Sequence, residues 1–391
     1  MAPLSSRFKR TIFAFVALLG LLVLYQYSQD IPADTNASTE EPVARVDTGG
    51  EVSHSIEVNS TKAEDDSGLL RAALVALVRN SELQGIRSTI RQIDDRFNNK
   101  FHYPYIFLND EEFTEEFKEG VRTLTKAPVH FGKLPEEHWG LSPYVTENKV
   151  QEALEYNRNR YLYGGSYSYR LMCRYQSGFV YKHPLLKDLD YYWRIEPDVN
   201  YYCDLPYDPF KYMRDNKLIY GFTMTPMEKA ETVETLWDTT REWMIENPDY
   251  LQDKSFIHWV VNEKAKYTRC HFWSNFEIVD LSFYRSEAYE SYFQHLDRAG
   301  GFFYERWGDA PVHSMAAAIL LRKEQIHWFE DIGYRHPGIG HCPKDPEMAA
   351  RCVCPPNANY MYRSLCNRRY GEVGNIYKHQ ALELAHMPDK H

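Results

Sequence analysis

The stretch "LLRAALVALVRNSELQGIRSTIRQIDDRFNNKFHYPYIFLND" (residues 69–110) carries the pattern of a β-α-β unit. Ala72 to Val78 is an unbroken run of small and branched apolar residues, as expected of a strand entering a core. Arg79-Asn80-Ser81-Glu82 is a polar turn whose Asn80 or Ser81 could cap the next helix. Leu83, Ile86, Ile90, Ile93 and Phe97 recur at helical spacing, so that helix covers the strand. Tyr103 to Phe113 reads as a second strand, broken at Asn109-Asp110. Strand, helix and strand in this order imply a parallel pair joined by a crossover, hence an α/β fold. Ligands of such sheets bind beyond the C-terminal ends of the strands, where Arg79, Asn80, Asn109 and Asp110 fall.

Further along, helical spacing runs to about Tyr161, Gly164-Gly165 breaks it, and another helix starts near Ser166. "YYWRIEPDV" (191–199) is a strand, and "DPFKYMRDNKLIYGFTMT" (208–225) is a helix followed by a strand. "PDYLQDKSFIHWVV" (248–261) and "SEAYESYFQHLDRAGGFF" (286–303) read as helical. "ERWGDAPVHSMAAAILL" (305–321) is a turn leading into a helix. From about Arg335 the chain is rich in Pro and Cys and is expected to wrap the surface. No internal repeat divides it, so residues 69–391 are expected to form one large domain.

The preceding residues have another character. Arg7, Lys9 and Arg10 are followed by no charge from Thr11 to Gln29, a tract long enough to cross a bilayer. The basic flank places a tail of residues 1–10 in the cytoplasm and the remainder in the lumen. The tract ends in Tyr25-Gln26-Tyr27 rather than a small-x-small site, so a signal anchor over 11–29 is favoured over a cleaved signal peptide. Residues 30–68 are acidic, rich in Ser and Thr and short of large apolar side chains, as expected of a disordered stem. Between Ser28 and Gly68 lie ten acids and two bases, most of the net charge of −10. The remainder is near neutral, which argues against nucleic-acid binding. Seven cysteines in a luminal domain point to disulfides with at least one thiol left over, in a pairing the sequence leaves open.

The chemistry starts at Arg194-Ile195-Glu196-Pro197-Asp198. Proline gives no donor to a sheet, so it marks the end of pairing. Alternation sends Arg194, Glu196 and Asp198 to one side, at a strand end. Two carboxylates there suit a divalent cation that keeps positions open for a diphosphate, and an arginine beside them suits a phosphate or a carboxylate. A strand-end turn with solvated acids fits the same residues equally well. Aromatic residues make up 15% of the chain, including 30 Tyr and 8 Trp, which suits a cleft for sugars or nucleotides.

Eight ordered stretches extend the pattern: "ALVRNSEL", "RFNNKFHYPYIFLND", "SYRLMCRYQSGFVYKHPLL", "YYWRIEPDVNYYCDL", "YGFT", "CHFWSNFEI", "GGFFYERWGDAPVHS" and "GYRHPGIGHC". With the anchor and stem they resemble the fungal Golgi α-1,2-mannosyltransferase family, over about residues 70–342. The resemblance implies a GT-A-like, Rossmann-type nucleotide-sugar-binding fold in a single luminal catalytic domain. It implies Mn²⁺ and GDP-mannose, transfer with retention, and a mannose-terminated N- or O-linked glycan as acceptor. Carried over, Glu196 and His336 ligate the metal, with His313 and His341 as lesser candidates. Arg79, Arg194 and Asp198 join Glu196 around the GDP and its charge. Glu277 matches the family's candidate nucleophile, although a same-face route steered by the departing phosphate stays open. Tyr169 is placed near the metal and phosphates, and Asp309 on a sugar hydroxyl. Trp273, Trp307 and Phe276 offer faces for sugar stacking or serve as core. A luminal glycan-binding protein without turnover, a mannosyltransferase of another linkage and a retaining glycosidase are the alternatives; the first expects a lost site residue, and the last leaves the metal motif unexplained.

Overall fold

The computed structural model describes residues 64–65, 68–355 and 357–387. The tail, the anchor and nearly all of the stem expected above lie outside the described residues. Among the described residues, no helix is long and apolar enough to cross a membrane.

Twelve strands form among the described residues, in chain order. They are β1 (Ala72–Leu77), β2 (Tyr105–Asn109), β3 (Val129–Lys133), β4 (Tyr191–Arg194), β5 (Asn200–Tyr201) and β6 (Tyr220–Phe222), then β7 (Lys254–Ser255), β8 (Glu277–Asp280), β9 (Ile326–Trp328), β10 (Tyr334–His336), β11 (Ile339–His341) and β12 (Ile376–Tyr377). Seven make the central sheet, in the order β3-β2-β1-β4-β8-β6-β9. The pairs β3/β2, β2/β1, β1/β4 and β6/β9 are parallel, and β8 runs antiparallel to both β4 and β6. The expected parallel β1/β2 pair is therefore present, with helix Leu83–Ile93 between its strands. A mixed sheet with a parallel-rich half is the α/β, GT-A-like arrangement.

Nearly every residue of β1, β2, β4 and β8 is buried, and the core is dense in aromatic rings. Each such side chain contributes roughly 1.5–3 kcal/mol of burial. Trp193 packs edge-on against Phe276, Tyr201 and Phe210, which fastens β4 to the layers around it.

Several local expectations are corrected. Neither Asn80 nor Ser81 caps the first helix; the Glu82 carboxylate closes the turn on the Arg79 N–H, and Asn80 ties down the loop at Glu112 and Thr114. The second strand stops at Asn109, and helix Glu115–Arg122 follows with Thr114 as its cap. The helix expected to reach Tyr161 ends at Asn157, where Gly164 lies so close that a Cβ would sit 1.9 Å from the Asn157 carbonyl oxygen. Residues 248–261 are not helical: two short 3-10 turns flank β7, which pairs with β12 instead. Ser255, Phe256, Ile257, Trp259, Val260 and Val261 are buried in a nearly continuous run, so tertiary burial rather than a helical face decides the local conformation. Beyond Arg335 the chain does more than wrap: it adds the β10/β11 hairpin and helices Leu365–Glu372 and Lys378–His386. Cys203–Cys352, Cys270–Cys366 and Cys342–Cys354 are disulfides, and Cys173 is a buried thiol.

Candidate active site

Four strands bring their ends to one edge of the sheet. The parallel pairing of β1 with β4 sets Val75 beside Arg194, so Arg79 and Glu196 both emerge there. The antiparallel neighbour β8 begins at that edge, with Glu277 opposite Arg194 on one side and Phe222 on the other. Chain reversal thus brings Glu277 of β8 beside Arg194 of β4, at the edge where Arg79 and Glu196 emerge.

Arg194 is 4% exposed, and its guanidinium joins two acids. Nη2 donates to Glu196 Oε1 and Nη1 to Asp309 Oδ2, each at 2.5 Å. Asp309 opens helix Asp309–Leu320, and its Oδ2 also accepts from Ser274 Oγ at 2.6 Å. Burial works to raise the Asp309 pKa, but Arg194, His313 and the Ser274 hydroxyl together outweigh it and hold the carboxyl down at about 2. The same contest keeps Glu196 below the usual carboxylate range. Both acids are ionised at neutral pH.

Past Arg194 the strand alternation fails. Asp198 has φ of +59°, in the left-handed region, so its side chain leaves the side shared by Arg194 and Glu196. It is exposed and leans over the first helix, where a Cβ on Gly85 would come within 2.8 Å of its carboxylate. The expectation of one common side for Glu196 and Asp198 is corrected by that residue's backbone.

Glu196 Oε2, free of the arginine, faces His336 Nε2 at 3.5 Å. His336 ends β10, which pairs with β5 and with β11. Two disulfides hold this hairpin: Cys203 just beyond β5 bonds Cys352, and Cys342 just beyond β11 bonds Cys354. Both Glu196 and His336 are about a quarter exposed, and Trp273 packs its ring 4.6 Å from the imidazole. His336 Nδ1 is buried without a hydrogen-bond partner among the described residues. A carboxylate oxygen and an imidazole nitrogen, side by side and reachable, form a donor pair that fits Mn²⁺.

Glu277 lies deeper, with 0% exposure. The Tyr192 hydroxyl donates to Oε1; the Tyr220 and Tyr284 hydroxyls donate to Oε2 at 2.6 and 3.3 Å. His313 Nδ1 meets Oε2 at 3.0 Å. Burial works to raise its pKa, but His313, Arg194 and Tyr192 together hold it below the usual range. Both oxygens are committed to partners from two strands, the segment after β8 and one helix.

The remaining candidates are scattered more widely. Tyr169 is half-buried near the start of helix Tyr167–Gly178 and reaches the Asp309 region through the Cys173 thiol, which contacts both. Burial holds its hydroxyl well above the usual tyrosine pKa. Arg79 is exposed on the strand edge. His313 serves the Glu277 cluster, and His341 is buried against the Glu330 carbonyl, so neither faces Glu196. Phe276 and Trp307 are core residues, while Trp273 stands half-buried beside His336. Sequence reasoning missed Ser274, Tyr192, Tyr220 and Tyr284; only the excess of tyrosine hinted at buried hydroxyls.

Comparison with known proteins bears on this site. The family model described as "Glycolipid 2-alpha-mannosyltransferase" matches residues 29–375. Glycolipid 2-alpha-mannosyltransferase 1 of Candida albicans is 49% identical over 319 residues, covering 80% of this chain and 74% of the relative. The glycolipid 2-alpha-mannosyltransferase of Saccharomyces cerevisiae is 45% identical over 346 residues, covering 88% and 77%. Core-mannan synthase A of Aspergillus fumigatus, solved in a Mn/GDP form, superposes with a TM-score of 0.75 at 39% identity, over 85% of this chain and 91% of that one.

Proposed function

The chain belongs to the glycolipid 2-alpha-mannosyltransferase family, and from that premise we propose how its residues carry the reaction. It is an α-1,2-mannosyltransferase. The donor we assign is GDP-mannose, the acceptor a mannose-terminated N- or O-linked glycan, and the ion Mn²⁺, held by Glu196 and His336. One observation carries the assignment: Arg194 occupies Glu196 Oε1 and leaves Oε2 facing His336 at the strand edge where nucleotides bind. Bound there, the ion would neutralise charge on the departing diphosphate.

The protein groups divide the remaining work. Arg194 keeps both acids ionised and fixes Glu196 for the metal. Asp309 spends Oδ2 on Arg194 and Ser274, and its other oxygen is assigned to a sugar hydroxyl. Tyr169 stays protonated and so can donate to a phosphate oxygen as the bond to the sugar breaks. Arg79 is assigned to the nucleotide, on the same edge.

Glu277 bears on how configuration is retained. A double displacement needs a carboxylate oxygen at the anomeric carbon. Here both oxygens hold hydroxyl or imidazole partners and none of the side chain is exposed. That enclosure supports the same-face route, with Glu277 as a positioning residue that ties β4, β6 and β8 to the helix bearing Asp309.

We further assign the catalytic domain to the Golgi lumen, anchored through residues 11–29, which the three disulfides support. The test is transfer from GDP-mannose to α-methyl mannoside by the full-length chain, with Mn²⁺ or with EDTA, read by NMR. A metal-dependent α-1,2-linked disaccharide, lost in Glu196→Ala, is expected. GDP-mannose binding in Mn²⁺ with no product on any mannoside would instead favour a glycan-binding protein.

A further inference from the structure

Tyr163 does something unusual for a loop residue. It is 51% exposed, yet its ring lies parallel to that of Tyr169, 4.4 Å away at an interplanar angle of 12°. Its φ is +61°, in the left-handed region, where a bulky side chain is strained and glycine is not. Gly164 and Gly165 follow immediately, so the chain places an aromatic at the strained position with glycines at hand.

The strain is held by design of the surroundings. Arg170, with no exposure, spends its guanidinium on backbone carbonyls: Tyr163 and Ser166 from Nη1, Phe303 from Nε and Glu305 from Nη2. The Ser166 N–H donates to the Tyr163 carbonyl and the Gly164 N–H to that of Tyr161. Strained backbone fixed this firmly is found where a side chain must be presented in one pose. Arg306, which lies over the Tyr169 ring at 5.2 Å, is paired with Glu228 at 3.3 Å. The Arg170 charge lies beneath the loop on backbone carbonyls and that of Arg306 is paired, so the exposed Tyr163 ring presents an uncharged aromatic face.

From Asp309 through Tyr169 to Tyr163, the groups lead outward from the candidate site to solvent. Resting on the function proposed above, we propose that Tyr163 forms a second acceptor subsite, stacking on the neutral hexopyranose one unit beyond the reacting mannose. The apolar C–H face of a pyranose matches an aromatic face, while its hydroxyls stay in water.

The experiment compares initial rates of the full-length enzyme on α-methyl mannoside and on methyl α-1,2-mannobioside at saturating GDP-mannose. Tyr163→Ala is expected to raise KM for the disaccharide about five- to tenfold, the worth of a stacking contact. KM for the monosaccharide and the affinity for GDP with Mn²⁺ should hold, and Tyr163→Trp should restore the disaccharide KM. Equal changes on both acceptors, no change on either, or a fall in GDP affinity would overturn the subsite. If the wild type transfers to neither acceptor, the transferase assignment fails by itself. Saturation-transfer NMR of the disaccharide with wild type and Tyr163→Ala then decides the stacking: equal signals overturn it, and a signal lost in the variant upholds it.

Discussion

Arg194→Met would leave two acids without their cation at a buried position. Asp309 gains the most from Arg194: its pKa falls from 3.8 to about 2 against the opposing effect of burial. At 1.36 kcal/mol per unit, that net shift is worth about 2 kcal/mol of stability at neutral pH. The sign follows from a depressed carboxyl pKa: the contribution is present above pH 3.8 and is lost as pH falls through about 2. Removing one partner of a buried pair typically costs about 3–5 kcal/mol, because the other charge stays buried. Arg194→Met should therefore lose about that much in urea unfolding at pH 7, with transfer abolished. Arg194→Met combined with Asp309→Asn should recover about 2 kcal/mol, since the stranded charge is gone. Arg194→Lys should fold but transfer poorly, because one ammonium does not reproduce a planar fork between two carboxylates. If the double variant loses the sum of the two single losses, Arg194 and Asp309 are not coupled and the scaffold assigned to Glu196 is refuted.

Glu277→Gln keeps the shape of the buried cluster, so transfer should fall by roughly tenfold, as for other supporting residues. Azide added to Glu277→Ala should yield no mannosyl azide, and a mannosylated Glu277 in mass spectrometry would refute the positioning role. His341, buried and hydrogen-bonded to the Glu330 carbonyl, has a pKa lowered to about 4 by burial. The unfolded chain takes that proton at higher pH, so its contribution is whole above pH 6.5 and lost as pH falls toward 4. Between pH 7 and 5 the wild type should lose about 2 kcal/mol more than His341→Gln in denaturant titrations. The Cys203–Cys352 bond closes 149 residues of sequence, and its removal by Cys203→Ser/Cys352→Ser should cost up to about 5 kcal/mol in unfolding experiments. The same variant should weaken Mn²⁺ binding by calorimetry, because His336 loses the anchor of its hairpin; unchanged affinity would show that the hairpin stands without it.

What could be read from the sequence follows physical lines. β1, the first helix and β2 were legible because apolar spacing alone reports which face is buried. Glu196 and Arg194 were legible because proline marks where a strand stops. Asp198 was not, since its left-handed backbone breaks the strand alternation. The enclosure of Glu277 was invisible because its partners, Tyr192, Tyr220, Tyr284 and His313, meet only when antiparallel strands and a helix assemble. Residues 248–261 misled for a related reason: Phe256, Ile257, Trp259, Val260 and Val261 are all buried, so no amphipathic face sets a period. Choosing His336 over His313 and His341 rested on resemblance; only the fold shows which imidazole faces a carboxylate with an oxygen to spare. Disulfide pairing likewise depends on which loops meet.

The central claim is that Glu196 and His336 together hold the ion that serves the diphosphate. Anomalous diffraction at the manganese edge, from crystals grown with GDP and Mn²⁺, tests it most directly. The account predicts one strong peak in contact with Glu196 Oε2 and the His336 imidazole, absent in Glu196→Ala. A peak held by Asp198 or by other residues, with Glu196 and His336 outside its coordination sphere, would contradict it.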